Sequence, residues 1–163
     1  MIVIVGVPGT GKSTLAKALS KELNILAFSK DELEAAIARK GLCSNKDMRG
    51  VGFEIMSVLA KNQIENNNRA IFDFIASRSR VTEQWPQLLA CEIKYIECIC
   101  SNEGIHKERI ESRNRNIEGW YELLWDDVLS IKSVFNPLMT ERLILDSMND
   151  LSANIKLAVG YVS

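Results

Sequence analysis

Short apolar runs alternate along this chain with longer stretches in which apolar residues recur every three or four positions. The short runs are rich in isoleucine and valine and have the length of strands, whereas the longer stretches have helical periodicity. Apolar strands separated by helices are typical of a parallel sheet covered on both faces. The pattern therefore predicts an α/β fold with a five-stranded parallel sheet. The predicted strands are Ile2–Val5, Ile25–Phe28, Arg69–Asp73, Ile93–Cys100 and Leu143–Leu145.

Helices are predicted between these strands and after the last of them. Ser29 and Glu32 have the spacing of a capping box at the start of the second helix. No repeat, low-complexity tract or linker interrupts the alternation, so residues 1–163 are expected to form a single domain. The predicted helices are Ser13–Leu23, Lys30–Lys40, Asp47–Asn66, Thr82–Cys91, a segment ending at Arg113, Leu124–Phe135 and Leu151–Val162. The third helix carries an apolar face of Met48, Val51, Ile55, Val58 and Leu59.

Residues 6–13, Gly-Val-Pro-Gly-Thr-Gly-Lys-Ser, match the pattern G-x-x-x-x-G-K-[ST] between the first predicted strand and the first predicted helix. In this setting backbone N–H groups converge on phosphates at the positive end of a helix. Lys12 can reach the β- and γ-phosphates, and the Ser13 hydroxyl can hold Mg²⁺. The motif predicts a nucleotide-binding protein with the three-layer sandwich of P-loop NTPases. The expected nucleotide-binding residues are Gly6, Pro8, Gly9, Thr10, Gly11, Lys12, Ser13 and Thr14.

The overall charge bears on the expected partners. The chain has a formal net charge of −1 and a pI of about 5.9, so no general basic field attracts nucleic acid. No uncharged apolar run approaches the length of a bilayer, and no charged leader precedes the first strand. These features predict a cytoplasmic protein with no membrane partner, and they disfavour a nucleic-acid partner without excluding a local basic patch.

Two cysteines near the chain's single histidine allow two interpretations. Cys98 and Cys100 alternate along a predicted strand and so lie on one face, where His106 could complete a metal site. Alternatively, the cysteines are small apolar residues of a reduced core. Their spacing matches no structural zinc pattern, which favours the core interpretation.

Two aspartates follow predicted strands at the edge where the phosphate loop lies. Asp73 ends the apolar run Ala70–Phe72 and is expected to hold Mg²⁺ together with Ser13, although an aspartate there can also begin a turn. Asp31 lies in the first turn of the second helix, where it could accept the proton of an acceptor hydroxyl. A carboxylate in that turn also stabilises the helix dipole, so the residues alone leave both interpretations open.

Arginines gather after the fourth predicted strand, in a segment around residues 102–120 that we expect to form a lid. Arg109 and Arg113 are four residues apart and share a helix face, and Arg115 lies just beyond them. Such arginines can neutralise charge on a transferring phosphoryl group, but a solvated helix face is the alternative. Arg78 and Arg80 could grip an acidic acceptor or lie on surface turns, and the sequence does not decide whether they or Arg115 take part.

Together these features resemble the small P-loop kinases related to polynucleotide kinase, zeta toxin and chloramphenicol phosphotransferase. The resemblance covers nearly the whole chain, and it implies that Asp31 is the general base and that Arg109 and Arg113 are lid arginines. Polynucleotide-kinase-like members follow the strand-end aspartate with a short polar segment, whereas here Phe74-Ile75-Ala76 follows, which disfavours a nucleic-acid acceptor. The matching segments are Gly6–Thr14, Ser29–Glu32, Ile71–Asp73, Cys100-Ser101 with the two arginines, and Leu143–Asp146.

The leading functional prediction is an ATP-dependent phosphotransferase that moves the γ-phosphoryl group of MgATP to a hydroxyl of a small molecule. The expected catalytic residues are Lys12, Asp31, Arg109 and Arg113, with Ser13 and Asp73 at the metal. ATP is expected rather than GTP because the guanine-specificity motif Asn-Lys-x-Asp does not occur. The alternatives are a kinase for nucleotides or 5′-hydroxyl polynucleotide ends, and a non-catalytic ATP-binding regulatory domain. The sequence identifies neither the acceptor nor the oligomeric state.

Overall fold

The computed structural model describes residues 1–41, 45–75, 91–114, 122–135 and 141–163. Three groups of sequence predictions lie outside these ranges: nearly all of the helix over 82–91, residues 115–120 of the predicted lid, and the roles of Arg78, Arg80 and Arg115. The strands are β1 (Ile2–Val5), β2 (Leu26–Ser29), β3 (Ala70–Asp73), β4 (Lys94–Ile99) and β5 (Leu143–Asp146). The described helices are α1 (Lys12–Leu23), α2 (Lys30–Ala38), α3 (Asn45–Glu65), α4 (Glu103–Glu111), α5 (Trp125–Val134) and α6 (Leu151–Val162).

The five strands form one parallel sheet in the order β2-β3-β1-β4-β5. Strand β1 lies at its centre and is buried along its whole length, which explains its unbroken apolar sequence. Val3 and Val5 face a core cluster that includes Phe53 of α3. Ile2 and Ile4 face the opposite cluster, which packs against α1 and α6. The predicted α/β fold with helices on both faces of a five-stranded parallel sheet is confirmed.

Several predicted details differ from the structure. The Ser29 side chain makes no capping hydrogen bond at the start of α2, so the predicted capping box is wrong. Ser29 instead pairs with Asp73 of the neighbouring strand, and its hydroxyl lowers the pKa of that carboxylate. Helix α4 ends at Glu111, so Arg109 lies within the helix whereas Arg113 lies beyond it. No helix in the described ranges is long and apolar enough to cross a membrane.

The strand order determines which loops meet at one edge of the sheet. The carboxyl ends of β2, β3 and β1 are neighbours, because Ser29 pairs with Asp73 and Ile4 pairs with the same residue. Ligands of open parallel sheets bind outside these carboxyl ends. The phosphate loop after β1, Asp73 at the end of β3 and the start of α2 after β2 therefore face a common space.

Candidate functional site

The phosphate loop is held in its curled shape by glycines and by its own hydrogen bonds. Gly9 and Gly11 have φ angles of +84° and +86°, values that L side chains rarely adopt. The Val7 carbonyl oxygen accepts hydrogen bonds from Thr10 Oγ1 at 2.9 Å and from Lys12 Nζ at 3.0 Å. Burial lowers the pKa of Lys12, and the nearby Asp73 and Asp31 carboxylates oppose that shift. A bound phosphate would offer the buried ammonium group a stronger acceptor than a carbonyl oxygen.

Gly6→Ala is expected to reduce the free energy of unfolding by about 1–3 kcal/mol. Gly6 has a φ of +146°, and a Cβ there would collide with the Cys98 carbonyl oxygen and lie 2.8 Å from Thr10 Oγ1. The measurement is the urea midpoint of the variant against the wild type. Gly160→Ala is the control, because a Cβ at that helical position would meet no heavy atom within 4 Å apart from the neighbouring backbone of its own helix. Equal losses of stability in the two variants would contradict the prediction.

Ser13 and Asp73 meet as the sequence predicted for a metal site. Ser13 Oγ donates to Asp73 Oδ2 at 2.5 Å, and Asp73 is buried at the end of β3. Burial raises the pKa of Asp73, and Lys12 and the hydroxyls of Ser13 and Ser29 oppose the shift. A hydroxyl and one carboxylate, beside a loop for phosphates, are a donor set that suits Mg²⁺. The residues therefore fit the ion, whose charge would offset the cost of burying this carboxylate.

The space in front of the loop is a cleft of about 1010 Å³. Seven consecutive residues from Pro8 to Thr14 line it. Gly6 does not line the cleft and lies against β4. Asp31 lines the cleft from the start of α2, and its charge acts on both Lys12 and Asp73. The general-base candidate thus faces the same space as the loop and the metal-site candidates.

The two candidate lid arginines have different surroundings. Arg109 Nη1 donates to Ser147 Oγ at 2.6 Å and Arg109 Nη2 donates to the Ser147 carbonyl oxygen at 3.2 Å. These bonds connect α4 to the loop after β5. Arg109 and Arg113 both line the cleft, and Arg113 is one of the charges that lower the pKa of Lys12. The last part of the predicted lid, residues 115–120, lies outside the described residues.

His106 contacts the phosphate loop. It does not form the metal site with Cys98 and Cys100 that the sequence left open as an alternative. It is buried, its Nε2 lies 2.7 Å from the Pro8 carbonyl oxygen, and its ring meets Trp125 edge-on at 5.1 Å. Burial raises the pKa of Cys98 to about 12, as expected of a core thiol. In the part of the chain that the structure describes, no three His, Cys, Asp or Glu residues form a metal-binding group. The core interpretation fits Cys98, whereas Cys100 follows the end of β4, is half-buried and accepts a hydrogen bond from Arg109.

Sequence reasoning missed further residues of the cleft. Lys30 and Glu34 form an ion pair beside Asp31, with 2.5 Å between Nζ and Oε1. Asn154 lines the cleft from α6, and its side-chain N–H donates to the Asp146 carbonyl oxygen at 2.8 Å. Only their place in the sequence could have indicated Lys30 and Glu34, because they lie on either side of Asp31 and are four residues apart in the same predicted helix. Asn154 carried no signal, because nothing in the sequence of α6 indicates that this polar residue is buried against the end of β5.

Solved structures with this fold include several kinases. A kinase candidate from Chloroflexus aurantiacus is 20% identical, with a TM-score of 0.81, and the match covers 99% of this chain and 97% of that one. A sugar kinase from Janibacter is 14% identical, with a TM-score of 0.73 and coverage of 99% and 92%. The APS kinase of Mycobacterium tuberculosis, in complex with AMPPNP and APS, is 13% identical, with a TM-score of 0.69 and coverage of 99% and 96%.

Similarity at the sequence level identifies a family. No curated protein matches the sequence. The narrower grouping with polynucleotide kinase, zeta toxin and chloramphenicol phosphotransferase stays a prediction. Residues 1–138 match the family described as AAA domain, which is more than four-fifths of the chain. The protein therefore belongs to the AAA domain family (AAA_33), and its fold is that of the P-loop kinases.

Proposed function

We propose that this protein is a cytoplasmic ATP-dependent phosphotransferase that moves the γ-phosphoryl group of MgATP to a hydroxyl of a small molecule. One observation carries the proposal: a single cleft is lined by the phosphate loop, by the metal-site candidates Ser13 and Asp73, and by Asp31. The helix dipole alone would account for a carboxylate in the first turn of α2, but Asp31 also lines the same cleft as the phosphate loop and the metal-site candidates, which is the position that a base for the acceptor hydroxyl requires.

The chain's own residues supply positioning and charge. Backbone N–H groups of residues 8–13 and the Lys12 ammonium would hold the phosphates. Ser13 and Asp73 would hold Mg²⁺, which neutralises charge on the β- and γ-phosphate oxygens when bound. Asp31 would orient the acceptor hydroxyl and take its proton while the bond from the γ-phosphorus to the β–γ bridging oxygen breaks. The acceptor oxygen bonds to phosphorus and ADP leaves, so every atom is accounted for.

The structural relatives support this reading without identifying the acceptor. One is named a sugar kinase, and another was solved with the ATP analogue AMPPNP and with APS, a small molecule. Both share the fold over 99% of this chain. We extend from them only the reaction class, which is transfer to a small acceptor, and we favour it over transfer to a nucleic-acid end.

Transfer of label from γ-³²P-ATP with Mg²⁺ across a panel of acceptors tests the proposal. The panel holds sugars, nucleosides, nucleotides, aminoglycosides, chloramphenicol-like alcohols and 5′-hydroxyl oligonucleotides, each with the wild type and with Asp31→Asn as background. Label on a small hydroxyl compound that depends on Asp31 supports the proposal. Label on oligonucleotides alone would replace it with a polynucleotide kinase, and release as phosphate alone in both proteins would favour a regulatory domain.

Asp73→Asn is expected to raise the Mg²⁺ concentration for half-maximal transfer by about 10–100-fold. The amide keeps the shape of the side chain and can still accept a hydrogen bond from Ser13, but it lacks the negative charge that favours the ion. Initial rates at saturating ATP over a Mg²⁺ titration measure the effect. Asp126→Asn is the control, because Asp126 is exposed on α5 and lies outside the cleft lining. The same Mg²⁺ dependence in Asp73→Asn and in the wild type would remove Asp73 from the metal site.

A further inference from the structure

We propose that Lys30 and Glu34 bind the acceptor, and that the acceptor is an uncharged polyhydroxylated molecule presenting two neighbouring hydroxyls to this pair. The inference rests on the proposed phosphotransferase function and names its substrate class. Lys30 precedes Asp31, and Glu34 lies one turn further along α2. All three residues line the cleft, so a molecule that contacts Asp31 also meets the ion pair.

Glu34 is buried and Lys30 is largely so, which makes the pair unusual among the ion pairs of the described helices. The side chains of Lys30 and Glu34 are 12% and 5% exposed, with 2.5 Å between Nζ and Oε1. The pairs Lys61–Glu65 and Lys107–Glu111 have the same spacing, but their side chains are more than half exposed and their charged atoms lie 3.8 and 3.7 Å apart. Burial of two charges carries a desolvation cost that their attraction often fails to repay.

Helix stability does not explain why the pair is present. Lys30 is the first residue of α2, where the helix dipole favours a negative charge. Lysine before glutamate at i and i+4 is also the weaker order for such pairs. A buried pair in an unfavourable order, on the wall of a cleft, is better explained by what it binds.

The surroundings of the pair are built to hold it at the cleft wall. A Cβ at position 52 would collide with the Glu34 carboxylate, so Gly52 of α3 provides the room that this side chain occupies. Lys30 Nζ lies 5.0 Å from the centre of the Phe53 ring, and Phe53 meets the Phe74 ring edge-on at 5.8 Å. Both aromatic residues also line the cleft. Aromatic walls beside a donor and an acceptor suit the C–H face and the hydroxyls of a sugar-like ring.

Charge selects among the possible acceptors. Lys30 and Glu34 neutralise each other, and Asp31 adds one negative charge beside them. Beside this pair, an acceptor carboxylate or phosphate would therefore meet two carboxylates and a lysine that is already paired. The other cations that line the cleft belong to the phosphate loop (Lys12) and to α4 and the residues after it (Arg109 and Arg113). Two neighbouring hydroxyls satisfy both partners, because one donates to Glu34 while the other accepts from Lys30. A third hydroxyl can then approach Asp31 for transfer.

A charge-matched acceptor panel with the wild-type protein is the first test. Label transfer from γ-³²P-ATP is measured for glucose, glycerol and myo-inositol, and for gluconate, glucosamine and glucose 6-phosphate. The proposal expects label on a neutral polyol, with kcat/KM at least tenfold above that of its acidic, phosphorylated or amino counterpart. Label on an anionic compound, an amine or an oligonucleotide in preference would overturn this inference while keeping the phosphotransferase. The absence of label on every acceptor, including the earlier panel, would overturn both.

Glu34→Gln is the second test, because it preserves size while removing one charge. We expect KM for the neutral polyol to rise about 10–100-fold with a smaller change in kcat. The uncompensated Lys30 should also shift preference towards the matching sugar acid, whereas Lys30→Gln should shift it towards the amino sugar. A structural defect alone would not reverse preference with the sign of the charge. Glu32→Gln is the control, since Glu32 lies on the same helix in an exposed ion pair with Lys17.

These variants decide the inference by comparison with the wild-type ranking. Unchanged selectivity in folded Glu34→Gln and Lys30→Gln, verified by their thermal midpoints, would overturn the role of the pair. If neither variant folds, the ranking of acceptors by the wild-type protein decides the substrate class on its own.

Discussion

Asp31→Asn is expected to lower the rate of phosphoryl transfer by about 10²–10⁴ while leaving ATP affinity nearly unchanged. The side chain lines the cleft from the start of α2, and its charge acts on Lys12 and Asp73 across the phosphate site. An amide in its place keeps the volume but cannot take the proton of the acceptor hydroxyl. Because the transition state is loose, part of the loss in rate would come from poorer orientation of the acceptor oxygen towards the γ-phosphorus.

The measurement separates chemistry from nucleotide binding. Transfer is followed with γ-³²P-ATP and the best acceptor, and ATP affinity is measured by calorimetry in the absence of acceptor. Glu32→Gln serves as the neighbouring control, because its exposed carboxylate pairs with Lys17 at 2.6 Å and lies outside the cleft lining. Equal transfer rates in Asp31→Asn and the wild type would remove Asp31 from the mechanism, and a parallel loss of ATP affinity would assign it to nucleotide binding instead.

The parts of the site that could be predicted from the sequence are those encoded locally. The phosphate loop is contiguous, so its glycines, Lys12 and Ser13 were identifiable without knowledge of the fold. Asp73 and Asp31 were identifiable because parallel strands bring their carboxyl ends to one edge. The fold itself was predictable, since β1 and β3 are buried on both faces and therefore apolar throughout.

Helix α3 shows that the periodicity of apolar residues can predict a buried helix face that differs from the face buried in the structure. Val58 belongs to the predicted apolar face but is 66% exposed, whereas Phe53 and Met56 are buried in the core. The buried side of α3 also contains Gly52 and Ala60, which a hydrophobicity pattern barely registers. Small residues lie where α3 packs closely against α2 and the sheet. Hydrophobic periodicity is recognised from large apolar side chains, so it does not detect faces that are buried through small residues.

Contacts between distant segments account for the partners that sequence reasoning assigned wrongly or did not find. The Ser29 hydroxyl was expected to accept a hydrogen bond at the start of α2, but it lies beside the Asp73 carboxylate, 44 positions away, towards which it can only act as a donor. His106 supports the Pro8 carbonyl, and Arg109 binds Ser147, across separations of 98 and 38 residues. None of these partners is visible from spacing, because the sheet order decides which loops become neighbours.

Arg113→Ala is expected to lower the rate of phosphoryl transfer by about 10³–10⁵, with a smaller effect on ATP affinity. Both arginines line the cleft, but Arg109 donates to both oxygens of Ser147, whereas the charge of Arg113 acts on Lys12. Arg113 follows the end of α4, lines the cleft, and is close enough to Lys12 to lower the pKa of that amine. Two cations around one space repel each other until negative charge lies between them. The transferring phosphoryl group supplies that charge, so the interaction is strongest during transfer.

Single-turnover rates at saturating ATP and acceptor measure this effect apart from product release. Arg113→Lys should recover part of the loss, because lysine restores the charge without the planar fork of donors. Arg109→Ala should mainly weaken nucleotide binding, since its bonds lie with the loop after β5. Arg39→Ala, at the exposed end of α2, controls for the loss of one positive charge from the molecule. If Arg113→Ala turned over as fast as Arg39→Ala, neutralisation of the phosphoryl group would have to come from Lys12 and Mg²⁺ alone.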